Sequence, residues 1–311
     1  MSKRKPATGT ITVKKISAIK LNAIKPTVAG NEKNNDIIRF LGVSLAGGKS
    51  DKACVALIEY YPKNQKIFLS RLYEKIKSEE RISADLKIHE LIEQNKDTLE
   101  YVAFDVPWRL PSCITCQLPC PGYEVCKEPH ITWMWSHFET KNKKKKPKKI
   151  FTPYTQRATE MYMATELEET FMLHNALGSN TAPLLARANF ITKRMPPQLK
   201  CIEVYPKLTL WRIGRTLDVM KSHLRHHRAA FGGDESRRLF LHAMSERNLT
   251  FIYHQDMKQM IENSHAFDAF MCALTGFLKY KGLTEKKPVD FPPYEDWIEF
   301  PKASIRTKDF V

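Results

Sequence analysis

Three apolar runs follow one another closely in the first third of the chain and predict an antiparallel meander. They cover residues 36–46, 53–61 and 66–73, and the first ends in the turn sequence Ala46-Gly-Gly-Lys-Ser50. Apolar runs of this length, separated by turn residues, are typical of connected strands. The short connections favour placing the three runs side by side in one sheet.

A helix and a fourth strand are predicted next. Apolar residues in the range 83–95 recur at helical spacing, which indicates an amphipathic helix. Residues 101–107 form an apolar run that predicts a buried strand, with Asp105 near its end. A meander, a helix and a strand able to join parallel to the first indicate an α/β fold, and several such folds begin this way.

The second half of the chain supplies further candidate side chains. We predict helices over residues 155–175 and 257–280, and a short strand over residues 200–206 with Glu203 in its interior. His265 and Asp268 are three residues apart and therefore share a face of the last helix. Because a carboxylate among apolar neighbours is costly to bury without a partner, Asp268 is a candidate site residue.

Four cysteines lie close together just after the predicted fourth strand, with the spacing C-x2-C-x3-C-x5-C. They are Cys113, Cys116, Cys120 and Cys126. Thiolates at such spacing are preferred ligands of zinc and of iron–sulfur clusters. Crowding of all four favours a [4Fe–4S] cluster, since structural zinc sites usually separate two pairs of ligands, but zinc stays open. Disulfides need an oxidising compartment, and the N-terminus carries no apolar signal segment, so we expect a cytoplasmic protein.

Charge points to a polyanionic partner. The chain has 311 residues and a formal net charge of +16, and it contains no apolar run long enough to cross a bilayer. We therefore expect a nucleic-acid partner, DNA or RNA, and no membrane. Residues 1–35 are basic and weakly patterned, which predicts disorder, and residues 221–228 indicate a polar helix face. The predicted nucleic-acid contacts are the lysines of one run: Lys143, Lys144, Lys145, Lys146, Lys148 and Lys149.

Four short strings, in a fixed order along the chain, resemble a family of predicted nucleases with an RNase H-like fold. They are Leu41-Gly-Val-Ser-Leu-Ala-Gly47, Val102-Ala-Phe-Asp-Val-Pro107, Ile202-Glu-Val-Tyr-Pro206 and His265-Ala-Phe-Asp-Ala-Phe-Met-Cys-Ala-Leu274. The resemblance implies a five-stranded mixed sheet flanked by helices over residues 36–285. Residues 108–150 would then be a cysteine-rich insertion after the fourth strand, and residues 286–311 a C-terminal extension.

The resemblance also implies an acidic site. Acids come from the first strand, the fourth strand and the final helix of the family, so Asp105 and Asp268 would be two of them, with Glu203 or His265 in support. The stretch 152–160 is also similar to the family and adds two possible site residues, namely Arg157 and Glu160.

Such a site would hold Mg²⁺ or Mn²⁺ for metal-assisted phosphodiester hydrolysis. One position departs from the pattern, because Ser44 stands where the family has its first-strand acid. Two functions therefore stay open: a metal-dependent nuclease, and a catalytically impaired module that binds nucleic acid or protein and is stabilised by the four cysteines. A redox or sensing role for an iron–sulfur cluster is a third.

Overall fold

The computed structural model of the chain describes residues 37–46, 51–140, 151–167 and 175–310. The predictions for residues 1–35 lie outside the described residues. So do those for the lysine run: Lys143, Lys144, Lys145, Lys146, Lys148 and Lys149.

The described residues form one six-stranded mixed sheet. Its strands are β1 (Ile38–Leu45), β2 (Ala53–Tyr61), β3 (Lys66–Ile76), β4 (Leu99–Phe104), β5 (Lys200–Val204) and β6 (Ile298–Glu299), in the order β3-β2-β1-β4-β5-β6. β2 is antiparallel to β1 and to β3, whereas β1, β4, β5 and β6 run parallel. The predicted meander and α/β class are confirmed. The sheet has six strands rather than the expected five, because β6 from the last part of the chain pairs beside β5.

Helices flank this sheet. They are α1 (Ala84–Asn95), α2 (Ser112–Thr115), α3 (Pro129–Thr140), α4 (Ala158–Glu166), α5 (Ala182–Lys193), α6 (Pro206–Thr216), α7 (Lys221–Arg225), α8 (Gly233–Glu246), α9 (His254–Glu262) and α10 (Ser264–Tyr280). In the part of the chain that the structure covers, no helix is long and apolar enough to cross a membrane.

Two predicted helices have different bounds. The helix expected over residues 155–175 is α4 in part: its last residue is Glu166 because the backbone of Leu167 is extended, and residues 168–174 lie outside the described residues. The helix expected over residues 257–280 is two helices, α9 and α10, that meet at Asn263. The Asn263 side chain accepts hydrogen bonds from the backbone N–H groups of His265 and Ala266 and so caps the start of α10.

The alternation of side chains along β1 decides which of its residues reach the site. Successive residues of a strand point to opposite faces of the sheet. Leu41 and Val43 belong to the core that α1 and α5 cover, whereas Phe40 packs in the core on the α10 face. Gly42 lets α10 approach, since a Cβ there would lie 1.9 Å from the Ala269 carbonyl oxygen. Ser44 is two residues from Gly42 and faces the same side of the sheet, so its hydroxyl is directed toward α10.

Candidate functional site

One polar cluster lies where the parallel strands β1 and β4 end. Asp105 follows β4 directly, and its backbone N–H donates to the Val43 carbonyl of β1 at 3.2 Å. The Ser44 hydroxyl donates to Asp105 Oδ2 at 2.6 Å, and the Leu45 backbone N–H donates to Asp105 Oδ1 at 3.2 Å. The end of β1 therefore holds both oxygens of the carboxylate that follows β4.

His265 extends this contact into a chain of hydrogen bonds. Its Nδ1 lies 3.0 Å from Ser44 Oγ. A serine hydroxyl has one proton to donate, and that of Ser44 is directed to Asp105. His265 Nδ1 is therefore the donor to Ser44, and in the neutral ring Nε2 is left as the acceptor. His265 and Asp105, both candidate site residues, are therefore linked through Ser44.

Asp268 lies near Asp105 but has its own partners. Arg228 Nε donates to Asp268 Oδ2 at 2.5 Å, and His227 Nε2 lies 3.0 Å from Asp268 Oδ1. The same guanidinium reaches Asp105, with 3.4 Å between Arg228 Nη2 and Asp105 Oδ2. One arginine thus bridges the two carboxylates that the sequence predicted would act together.

The two carboxyls are shifted in opposite directions. Burial opposes ionisation of Asp268, but the neighbouring charges and hydrogen bonds of Arg228 and His227 outweigh it and lower its pKa to about 2. Burial raises the pKa of Asp105 above its usual value, against the opposing effects of Arg228 and the Ser44 hydrogen bond. Arg228 therefore stabilises a charged Asp268 more strongly than a charged Asp105.

Arg157, Glu160 and Glu203 form a second, deeply buried cluster. Arg157 Nη1 and Nη2 donate to the two oxygens of Glu203 at 2.6 and 2.7 Å, and its Nε donates to Glu160 Oε1 at 2.8 Å. Its backbone N–H donates to Glu160 Oε2 at 3.1 Å, so the Glu160 side chain also satisfies a backbone donor at the start of α4. Burial raises the pKa of Glu160 despite the Arg157 charge. The predicted residues do converge, as a bidentate ion-pair network that ties α4 to β5.

A cavity of about 750 Å³ opens at this end of the sheet. We call it the strand-end cavity, and its lining includes Asp105, Glu203 and His265. The first turns of α5 and α6 also line it, as do the basic side chains of Lys207, Arg225 and Arg228 and the ring of His226. Its size is that of an ordinary ligand pocket.

Sequence reasoning missed Arg228 and His227. Residues 221–228 were expected to be a polar helix face, but α7 ends at Arg225 and the following residues turn inward onto Asp268. The signal available was the cost of burying Asp268, which requires a cationic partner somewhere in the chain. Nothing in the local pattern identified which arginine that would be.

The acidic residues as positioned do not fit a divalent cation. Both carboxylate oxygens of Asp105, Asp268, Glu160 and Glu203 already accept a hydrogen bond from the protein. Ser44 donates to Asp105 and supplies no negative charge at the position where the first-strand acid was expected. Among the described residues, no three His, Cys, Asp or Glu side chains are arranged to hold a metal ion. No step of a two-metal mechanism follows from this arrangement.

The four cysteines lie in the segment that carries α2. All are free thiols, and Cys116 and Cys120 are exposed. Burial raises the pKa of the Cys113 thiol, and Cys120, Cys116 and Cys126 are close enough to raise it further. The donor chemistry suits a soft metal, although the four sulfurs are not drawn together as a ligand set.

Comparison with known proteins adds no relative. No family model matches the chain, and no characterised protein or solved structure matches it.

Proposed function

We propose that this chain is an RNase H-like protein that binds nucleic-acid phosphates in the strand-end cavity without a divalent metal. In the sheet order β3-β2-β1-β4-β5, β2 is antiparallel to β1, whereas β4 and β5 are parallel to it. This arrangement supports the fold assignment. The packing of α10 against β1 through Gly42 supports it further. The resemblance to a family of predicted nucleases remains part of this proposal.

One observation carries the choice of an anionic ligand. The first turns of α5 and α6 and the side chains of Lys207 and Arg225 line the same cavity, beside carboxylates that Arg157 and Arg228 already neutralise in part. The positive end of a helix dipole favours an anion. A phosphate bound there would contact donors from separate elements.

The overall charge favours a polymer of phosphates over a small anion. A formal net charge of +16 on 311 residues raises the local concentration of polyanions around the whole chain. Phosphate contacts from lysine and arginine are sequence-independent and release counterions. We therefore propose nucleic acid as the ligand class.

A metal-dependent nuclease is the second candidate, and one contact favours it. The Arg228 side chain, which is 50% exposed, contacts the carboxylates of both Asp105 and Asp268 and so lies where a bridging cation would bind. Moving that arginine outward would leave two adjacent carboxylates. A Ser44→Asp substitution supplies the third acid, so binding of Mn²⁺ by this variant and not by wild type would support a metal site lost at Ser44.

We also propose that Cys113, Cys116, Cys120 and Cys126 hold one zinc ion or one [4Fe–4S] cluster. Two observations support this: the other three cysteines are close enough to raise the pKa of the Cys113 thiol, and none of the four forms a disulfide. A metal there would brace the segment between β4 and α3, which borders the strand-end cavity through the residues that follow Asp105.

The binding proposal is tested by the salt dependence of oligonucleotide affinity in EDTA. A Lys207→Gln variant should weaken binding to every sequence and lower the slope of log K against log salt concentration by about one contact. Lys258→Gln is the matched control, because Lys258 lies on α9 and lines a different cavity. Equal slopes for wild type and Lys207→Gln would contradict the placement of phosphate in this cavity.

A further inference from the structure

The direction of the hydrogen bonds at Ser44 has a chemical consequence. Asp105 accepts from Ser44, and Ser44 accepts from His265 Nδ1. The imidazole is thereby held in the tautomer whose Nε2 has a free lone pair. His265 is half-buried and lines the strand-end cavity. A histidine fixed in this way is equipped to accept a proton from a bound ligand.

We propose that the strand-end cavity cleaves RNA without a metal, with His265 as the general base. This inference rests on the proposed function, since it requires a nucleic-acid phosphate in the cavity. Ser44 and Asp105 are positioning residues, because they fix the tautomer and orientation of the imidazole and do not contact the reacting atoms.

RNA is the substrate class because it carries its own nucleophile. The acidic residues are not arranged to bind a divalent ion that would activate water. Cleavage then needs a nucleophile that a histidine can deprotonate, and the ribose 2′-hydroxyl next to the scissile phosphate is one. DNA lacks this group, so it binds without being cut.

The cavity also has groups for the remaining parts of the reaction. Arg228 and Lys207 line it and supply positive charge for the phosphorane-like transition state. His226 lines the same cavity and is exposed, and in this proposal it is the proton donor for the leaving oxygen. Two of the histidines and two of the basic residues that line the cavity thus have a role in the proposed reaction.

The reaction balances without any further reactant. His265 Nε2 takes the proton of the 2′-hydroxyl, and the 2′-oxygen forms a bond to phosphorus. The bond between phosphorus and the 5′-oxygen breaks, and His226 gives its proton to that oxygen. The products are a 2′,3′-cyclic phosphate and a 5′-hydroxyl end. Oxidation states do not change, and proton exchange with water resets the two histidines.

The test uses a labelled DNA oligonucleotide that contains one ribonucleotide, incubated with the full-length protein in EDTA. Wild type should cut after the ribonucleotide and leave the cyclic phosphate, and it should leave the all-DNA oligonucleotide intact. His265→Ala should lower the rate about 100-fold or more, and added imidazole should restore part of it. His242→Gln, on α8 and outside the strand-end cavity, is the matched control and should cut at the wild-type rate.

Ser44→Ala separates positioning from substrate binding. We expect about a tenfold lower kcat with an unchanged KM, because the groups that contact phosphate are kept. Thermal melts of each variant check that the fold is intact. A fall in kcat with no change in the melt supports a positioning role, and an unchanged kcat would remove Ser44 from the proposal.

The outcomes separate this inference from the proposed function. Oligonucleotide that is bound, by fluorescence anisotropy, but not cut in EDTA overturns the cleavage proposal and leaves the binding proposal intact. Cutting of the all-DNA oligonucleotide, or cutting by His265→Ala at the wild-type rate, also overturns it. Failure to bind any oligonucleotide overturns both.

Discussion

Arg228 Nε lies 2.5 Å from Asp268 Oδ2, so a half-exposed arginine from the segment after α7 neutralises a fully buried carboxylate of α10. The same side chain reaches Asp105, the carboxylate that follows β4. The positive charge between the two acids is therefore supplied by a side chain of the protein itself. This arrangement makes a divalent ion unnecessary for the electrostatic stability of the site.

Asp268→Asn should destabilise the protein more at neutral pH than in acid. The folded-state pKa of Asp268 is lowered from 3.8 to about 2. A carboxyl with a depressed folded pKa stabilises the protein above its unfolded pKa, and this stabilisation is lost as the pH falls through the folded pKa. The contribution to the free energy of unfolding is about 2 kcal/mol at pH 7 and about 1 kcal/mol at pH 3.

Urea denaturation of wild type and Asp268→Asn at a series of pH values measures this difference. The charge of Asp268 is one of the causes that raise the pKa of Asp105, so the substitution also lowers that pKa, and the two proteins are therefore compared over the whole pH range. A difference between the two unfolding free energies that stays constant from pH 7 to pH 3 would contradict the charged state assigned to Asp268.

Gly42→Ala should unfold the domain or destabilise it by more than about 3 kcal/mol. The new Cβ would lie 1.9 Å from the Ala269 carbonyl oxygen and 2.4 Å from the Ala273 nitrogen, and neither backbone atom can move without shifting α10. Because α10 carries His265 and Asp268, any protein that folds should also lose oligonucleotide binding.

Gly276→Ala is the control for that substitution. Its Cβ would meet Phe40 and Tyr101 side-chain atoms at 3.5 Å, which is ordinary van der Waals contact. We expect a change in unfolding free energy within about 1 kcal/mol, since alanine also favours the helix. Chemical denaturation of both variants decides the matter, and equal losses of stability would mean that β1 and α10 are not in close contact.

Metal content of the purified protein tests the cysteine proposal. We expect about one zinc per chain, or a visible absorption band and iron with acid-labile sulfide if a cluster is bound. Substituting Cys113 and Cys116 by serine should lower the melting temperature because metal binding is coupled to folding. The oligonucleotide assays in EDTA require a wild-type melt that is the same with and without the chelator, so that they test the intact protein. Metal-free protein whose melt is unchanged by these substitutions would refute a structural metal.

The sequence predicted the parts of the fold and site that depend on local pattern. Apolar runs located β1 to β5. The apolar neighbours of Asp268 marked it as a candidate, and Asp105 was a candidate because it lies near the end of β4 and because of the family resemblance. The capping role of Asn263, which splits the last long helix, depends on the orientation of one side chain. The two-residue strand β6 is too short for a periodic signal. Arg228 contacts Asp268 across a separation of 40 residues, and no pattern in the chain encodes such a contact.

The central claim is that the site binds phosphate through its own cations and needs no divalent metal. Fluorescence anisotropy of a labelled RNA oligonucleotide, with wild type and Arg228→Gln in EDTA and in Mg²⁺, tests it most directly. We predict equal wild-type affinity in the two buffers, and an affinity about tenfold lower in both for Arg228→Gln protein whose thermal melt shows an intact fold. Wild-type binding that requires Mg²⁺, or Arg228→Gln binding as tightly as wild type in EDTA, would contradict the claim.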